Sequence, residues 1–169
     1  MQGIEQTARS AKNAARVIET LPGETKDAVL RSLADSIEQC APDLLAANAE
    51  DMDAARAAGL QDSKLRRLEL TGASLAQIAE GVRQIAVMQD PVNRVSKSWD
   101  VPVSGLHVER VRAPLGVIAM IYEARPGVTV DAFALCFKAG NACLLKGGRE
   151  ANRSNQALAG IARAALLEH

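Results

Sequence analysis

"PLGVIAMIYEARPGVTVDAFALCFKAGNACLLKGGRE", residues 114 to 150, is the stretch on which the fold turns. Leu115 to Ile121 is almost continuously apolar, the pattern of a parallel strand covered on both faces. From Pro126 the chain reads as a short loop and then a helix ending near Gly140. A second apolar run, Ala142 to Leu145, leads directly into Lys146 and predicts a strand over 142–146. The following "EANRSNQALAGIARAALLEH" (150–169) places Leu158, Ile161, Ala162, Ala165 and Leu166 on one face of a helix. The order β-α-β-α implies two adjacent parallel strands joined by a right-handed crossover.

Upstream the texture differs. Residues 3 to about 88 read as helices. Leu30, Leu33, Ala34 and Ile37 form a stripe of 3.6-residue period, and Leu75, Ile78, Ala79, Val82, Ile85 and Ala86 repeat it. Pro22-Gly23 separates the first two helices, and Ala41-Pro42 opens a third, since proline is tolerated in a first turn. Ala58-Gly59 ends that third helix, and Thr71 is the N-cap of the last. Asp90-Pro91 breaks the pattern. "VSKSWDVPVSGLHVERVRA" (95–113) alternates as strands do. It predicts an antiparallel hairpin of 95–100 with 106–112, turning at Pro102 to Gly105. Trp99 and Met88 read as packing residues rather than ligand contacts.

The chain of 169 residues carries 20 basic and 20 acidic residues and no long block of either sign. That balance excludes an electrostatic nucleic-acid or membrane partner, and 2% aromatics leave no base-stacking platform. No apolar run is long enough to span a bilayer, and the polar, amphipathic N-terminus has no signal-peptide core. Cys40, Cys136 and Cys143 are odd in number and fit no zinc spacing, and His107 and His169 lie far apart, so no metal site is predicted. A reducing cytoplasm suits three free thiols. Cys136 on a helix and Cys143 in a strand read as buried and inert.

In an open parallel sheet, ligands bind beyond the carboxyl ends of the strands. Here those ends carry Tyr122 to Pro126 ("YEARP") and Lys146 to Glu150 ("KGGRE"). Lys146 can donate to ribose hydroxyls or attract phosphate. Gly147 and Gly148 let a ligand approach the backbone. Arg149 can pair with an additional phosphate, and Glu150 can accept from a ribose hydroxyl. Arg125 suits a bidentate anionic group, or else an ion pair with Glu123 or another surface carboxylate. The competing reading makes Lys146 a solvated strand terminus and the glycines a turn, and the GxGxxG fingerprint is absent after the first strand. Read this far, the residues define a candidate nucleotide crevice and no more.

The stretch "VRAPLGVIAMIYEARPGVTVDAFALCFKAGNACLLKGGREANRSNQAL" (111–158) closely resembles the gamma-glutamyl phosphate reductase family, also called glutamate-5-semialdehyde dehydrogenases. "LLAANAEDMDAARAAGL" (44–60), "LRRLELT" (65–71) and "VRQIAVMQDPV" (82–92) continue the resemblance in order. The family belongs to the aldehyde dehydrogenase superfamily. The resemblance implies an α/β fold of N-terminal helices, a β-hairpin, and the first βαβα part of a Rossmann-like parallel sheet. It implies a helical part of the cofactor domain over 1–94, an oligomerisation hairpin over 95–112 and the start of an NADP-binding domain over 113–169.

The activity implied is NADPH-dependent reduction of L-glutamyl 5-phosphate to L-glutamate 5-semialdehyde, in proline biosynthesis, by a cytoplasmic homo-oligomer. In that chemistry a cysteine thiolate displaces phosphate and hydride reduces the thioester. Lys146 and Glu150 stand where the superfamily holds the adenosine ribose. Gly147, Gly148 and Arg149 complete that loop. Tyr122, Glu123 and Ala124 stand beside the cofactor, and Arg125 on the substrate side. Many relatives carry a proline-tryptophan-asparagine motif at "YEARP". No asparagine occurs there, so an oxyanion role for Ala124 reduces to its backbone. The nucleophilic cysteine is expected beyond residue 169, making the chain the N-terminal part of the enzyme, inactive by itself. Two alternatives stand beside this reading. One is a truncated module that binds nucleotide or oligomerises without chemistry. The other is the reductase part of a fused kinase–reductase, against which Met1 weighs, with no kinase sequence ahead of it.

Overall fold

In the computed structural model, which describes residues 3–169, the first half is five helices: α1 (Ile4–Ile18), α2 (Gly23–Gln39), α3 (Ala41–Ala57), α4 (Asp62–Leu68) and α5 (Gly72–Val87). Their boundaries follow the local chemistry. Pro42 sits in the first turn of α3, and Gly59 follows α3 at φ +73°, which glycine adopts freely. Thr71 caps α5 through a reciprocal pair in which its Oγ1 accepts from the Ser74 amide and the Ser74 Oγ accepts from the Thr71 amide.

The remainder is β1 (Val95–Asp100), β2 (His107–Val111), β3 (Val117–Ile121), α6 (Gly127–Lys138), β4 (Ala142–Lys146), a single 3-10 turn (Arg149–Ala151) and α7 (Asn152–Glu168). β1 and β2 form an antiparallel ribbon with Trp99 opposite Val108 and an irregularity between Val95 and Lys97. β3 and β4 are parallel and adjacent, in register from Val117 with Ala142 to Ile121 with Lys146.

One core serves both halves. Leu30, Leu33 and Ile37 of α2, and Leu75, Ala79 and Val82 of α5, pack with Val130 and Phe137 of α6 and Leu158 of α7. Truncating such a fully buried leucine costs about 2–5 kcal/mol. A pair of buried lysines ties the same helices together. Lys26 Nζ lies 2.5 Å from Asp90 Oδ2 and donates to the Lys138 carbonyl at the end of α6. Lys138 in turn reaches Asp27 and donates to the Ala86 carbonyl at 2.8 Å. Each ammonium meets carbonyls left unpaired at a helix C-terminus, where positive charge is favoured.

Three expectations are corrected. β3 starts at Val117 rather than Leu115, because Gly116 turns the chain at φ +101° while its amide donates to Asn141 Oδ1 at 2.8 Å. The 115–121 run is not covered on both faces: Ile121 of β3, and Leu115 just before it, are each 85% exposed. Among the described residues the parallel sheet has two strands; α1 packs more on β4 than on β3, and α6 covers β4 as well as packing on α5. Trp99 and Met88 do not pack inside, at 40% and 54% exposed. The ribbon carrying Trp99 has no second layer, and its ring is covered by the Lys97 ammonium 5.5 Å from the centroid.

Candidate nucleotide crevice

The parallel pairing brings the two polar loops side by side. Ile121 and Lys146 end their strands opposite each other, and the Tyr122 amide extends the ladder by donating to the Lys146 carbonyl at 3.1 Å. Lys146 is exposed, and its ammonium donates to the neighbouring Gly147 carbonyl at 3.0 Å. Arg149 is exposed on the 3-10 turn and forms no ion pair among the described residues. Glu150 is half-buried, its carboxylate folded back over Gly148.

The two glycines have different reasons. A Cβ on Gly147 would strike the Asn155 amide group and come within 3.2 Å of the Tyr122 ring. Protein, not open space, faces that position, so packing favours glycine there. A Cβ on Gly148 would meet only the flexible end of Glu150, which can swing aside.

"YEARP" divides in the same way. The Tyr122 hydroxyl is 2.6 Å from Thr129 Oγ1, which donates to Asn155 Oδ1 at 3.0 Å. Tyr122 therefore ties its loop to the starts of α6 and α7. Glu123 is exposed and pairs with Arg67 of α4 at 3.2 Å. Ala124 buries its methyl among Met52, Ala55, Leu68 and Ala151, leaving only backbone for a ligand. Arg125 is exposed, and the Glu123 carboxylate suggested for it from sequence belongs to Arg67 instead.

Sequence reasoning missed a support beneath the second loop. Asp51 of α3 is buried and accepts from the amides of Arg153 (3.2 Å) and Ser154 (2.8 Å) and from the Ser154 hydroxyl (2.8 Å). Asn48, one turn earlier and also buried, donates to Ser154 Oγ at 3.1 Å and to the Leu68 carbonyl at 2.9 Å, and accepts from the Leu70 amide at 2.8 Å. A signal was present: Asn48 and Asp51 sit at helical spacing within the buried stripe Leu44, Met52, Ala55. Polar residues in such a stripe need partners.

Cys136 is buried and Cys143 half-buried, and the two thiols lie near enough to influence each other's titration. Burial, and then the neighbouring Cys136, pushes the Cys143 thiol up to about 11. Burial likewise raises Cys136. Neither is primed as a nucleophile at neutral pH. Among the described residues no cluster of His, Cys, Asp and Glu could hold a metal, and no helix is long and apolar enough to cross a membrane.

No protein-family model matches the chain. It is 48% identical over 165 residues to gamma-glutamyl phosphate reductase of Xanthomonas oryzae pv. oryzae, a match covering 98% of this chain and 40% of that protein. The crystal structure of gamma-glutamyl phosphate reductase from Thermotoga maritima superposes with TM-score 0.92 at 33% identity, covering 97% of this chain and 39% of that one. An NAD-dependent benzaldehyde dehydrogenase from Corynebacterium glutamicum shares the fold at TM-score 0.74 and 17% identity, over 95% of this chain and 33% of that one. The chain thus spans about two-fifths of the length of the curated relatives it matches.

Proposed function

We propose, for a chain that belongs to the gamma-glutamyl phosphate reductase family, that the crevice beyond β3 and β4 binds the adenosine end of NADPH in an enzyme that reduces L-glutamyl 5-phosphate to L-glutamate 5-semialdehyde for proline biosynthesis. One observation carries this reading: two exposed cations, Lys146 and Arg149, and the carboxylate of Glu150 lie within five residues of one another in the loop at the carboxyl end of a parallel strand pair. That donor set fits a ribose bearing a phosphate. When bound, the dinucleotide supplies the hydride.

This chain's residues bind and orient. Lys146 donates to the ribose hydroxyls, and Glu150 swings off Gly148 to accept from them. Arg149 takes the 2′-phosphate, the group that separates NADPH from NADH. Tyr122 and Glu123 border the pocket, and Ala124 contributes through its backbone. Arg125, exposed at the neighbouring strand end, faces the anionic substrate group. None of the three cysteines is assigned as the nucleophile. In this reading residues 1–94 support the cofactor domain, 113–169 begin it, and 95–112 joins protomers of a cytoplasmic homo-oligomer.

Dinucleotide affinities, read by fluorescence titration, test the assignment. Arg149→Ala should weaken NADPH about tenfold or more and NADH little, since a charged hydrogen bond contributes roughly 1.5–3 kcal/mol. Lys146→Ala should weaken both. Small, equal effects of the two substitutions on both cofactors would return residues 146–150 to a polar turn after a strand.

A further inference from the structure

We infer that Asp51, seconded by Asn48, is a positioning residue that sets the dinucleotide-binding loop from beneath, and that the N-terminus of α7 is thereby closed to phosphate. The inference rests on the proposed dinucleotide reading of that loop. α7 starts without a side-chain cap of its own, since Ala151 stands at its N-cap position. The first amides of a helix have no partner within it and carry positive dipolar charge. In strand-turn-helix crevices they commonly receive a ligand phosphate. Here the protein's own carboxylate occupies them. Asp51 takes the Arg153 and Ser154 amides and the Ser154 hydroxyl, and Asp51 and Ser154 are both buried.

Two consequences follow. Residues 147–152, with the 3-10 turn Arg149–Ala151 among them, run between two fixed points: β4, hydrogen-bonded to β3, on one side, and the Asp51 grip on Arg153 and Ser154 on the other. With only six residues between them, the direction of Arg149 and Glu150 depends on where Asp51 places the start of α7. Asn48 fixes Ser154 from the same helix and also binds the Leu68 and Leu70 backbone, so α3 carries both the loop and the α4–α5 connection. Moreover, phosphate recognition falls to the Lys146 and Arg149 side chains, because the helix amides are taken. This matches a loop that has cations but no GxGxxG spacing.

The test measures dinucleotide affinity by titration and amide exchange by mass spectrometry, in the protein as expressed and well below its unfolding midpoint. Asp51→Asn keeps the shape and removes the charge. It should weaken NADPH about tenfold and speed exchange of the 148–154 amides. Ser154→Ala should act in the same direction with a smaller effect, and Ser154→Thr, which keeps the hydroxyl, should restore affinity. Leu75→Ala, a core change remote from the loop, controls for lost stability alone. If Asp51→Asn and Ser154→Ala lower affinity no more than Leu75→Ala does, Asp51 is a structural cap and the inference is overturned. A parent protein with no affinity for either dinucleotide would instead overturn the proposed function, and this inference with it.

Discussion

Gly147 shows at the scale of one residue how a motif that looks made for a ligand can be made for its neighbours. The space in front of its Cα holds the Asn155 amide and the Tyr122 ring. Gly147→Ala should therefore lower stability by about 1–3 kcal/mol, the usual cost of overpacking, seen as a lower urea midpoint. In a double-mutant cycle with Asn155→Ala the double variant should lose less than the sum of the two single losses, because the second change removes the obstacle. Additive losses would place the strain elsewhere. Cys143 makes a second prediction at this scale. Its folded-state value is pushed up to about 11 from an ordinary 9.0, so the folded chain holds that proton more tightly than the unfolded one. The stabilisation is complete below about pH 9 and is lost as pH rises toward 11. Urea midpoints should fall across that window, and less steeply in Cys143→Ala. At pH 7 the thiol should react with iodoacetamide about a hundredfold more slowly than an unperturbed thiol, as two units of thiolate suppression require.

At the scale of elements, the sequence pattern located the strands to within about two residues and most helix boundaries, though not the short α4, because those elements begin or end on local chemistry. Thr71 caps, Pro42 opens, Gly59 and Gly140 close, and the period changes from 3.6 to 2 after Asp90. The candidate site was legible as far as its exposed charges, Lys146 and Arg149. What supports those charges was not, since Asp51 meets Ser154 and Thr129 meets Asn155 only after the chain has folded. The buried lysines belong to the same class. Lys26 heads the stripe that continues through Leu30, Leu33 and Ile37, and nothing local reveals that Asp90, far along the chain, will neutralise it. Asp90→Ala would leave a fully buried ammonium with the Lys138 carbonyl and no counter-charge. Removal of one partner of a buried pair costs about 3–5 kcal/mol. Because Asp90 is partly exposed, the lower end is expected. Lys26→Met with Asp90→Ala should recover most of the loss. A double variant as unstable as Asp90→Ala alone would show that the ammonium acts through something other than this pair.

At the scale of the whole molecule, the distribution of apolar surface is uneven. The helical core is closed, while every residue of β1 is exposed and Leu106 and Val111 continue that surface onto the other arm of the ribbon. A two-stranded ribbon with no covering layer is marginally stable in water, and its open edges offer unpaired backbone groups. Leu115, just before β3, and Ile121 at its end add exposed apolar surface at the rim of a two-stranded sheet. Surfaces of this kind are covered by association, so the chain should run above its monomer mass in light scattering at high concentration. Screening by salt acts on exposed charges rather than on apolar contacts, so 1 M sodium chloride should not dissociate the assembly. The ribbon has no helix against it, whereas β3 is partly shielded, and this sets the order of the effects. Leu106→Lys with Val111→Lys should lower the association constant more than Ile121→Lys does. If Ile121→Lys alone yields the monomer while the ribbon variants remain associated, the sheet rim is the contact and the oligomerising role moves from 95–112 to β3. A strictly monomeric parent chain would remove that role from both.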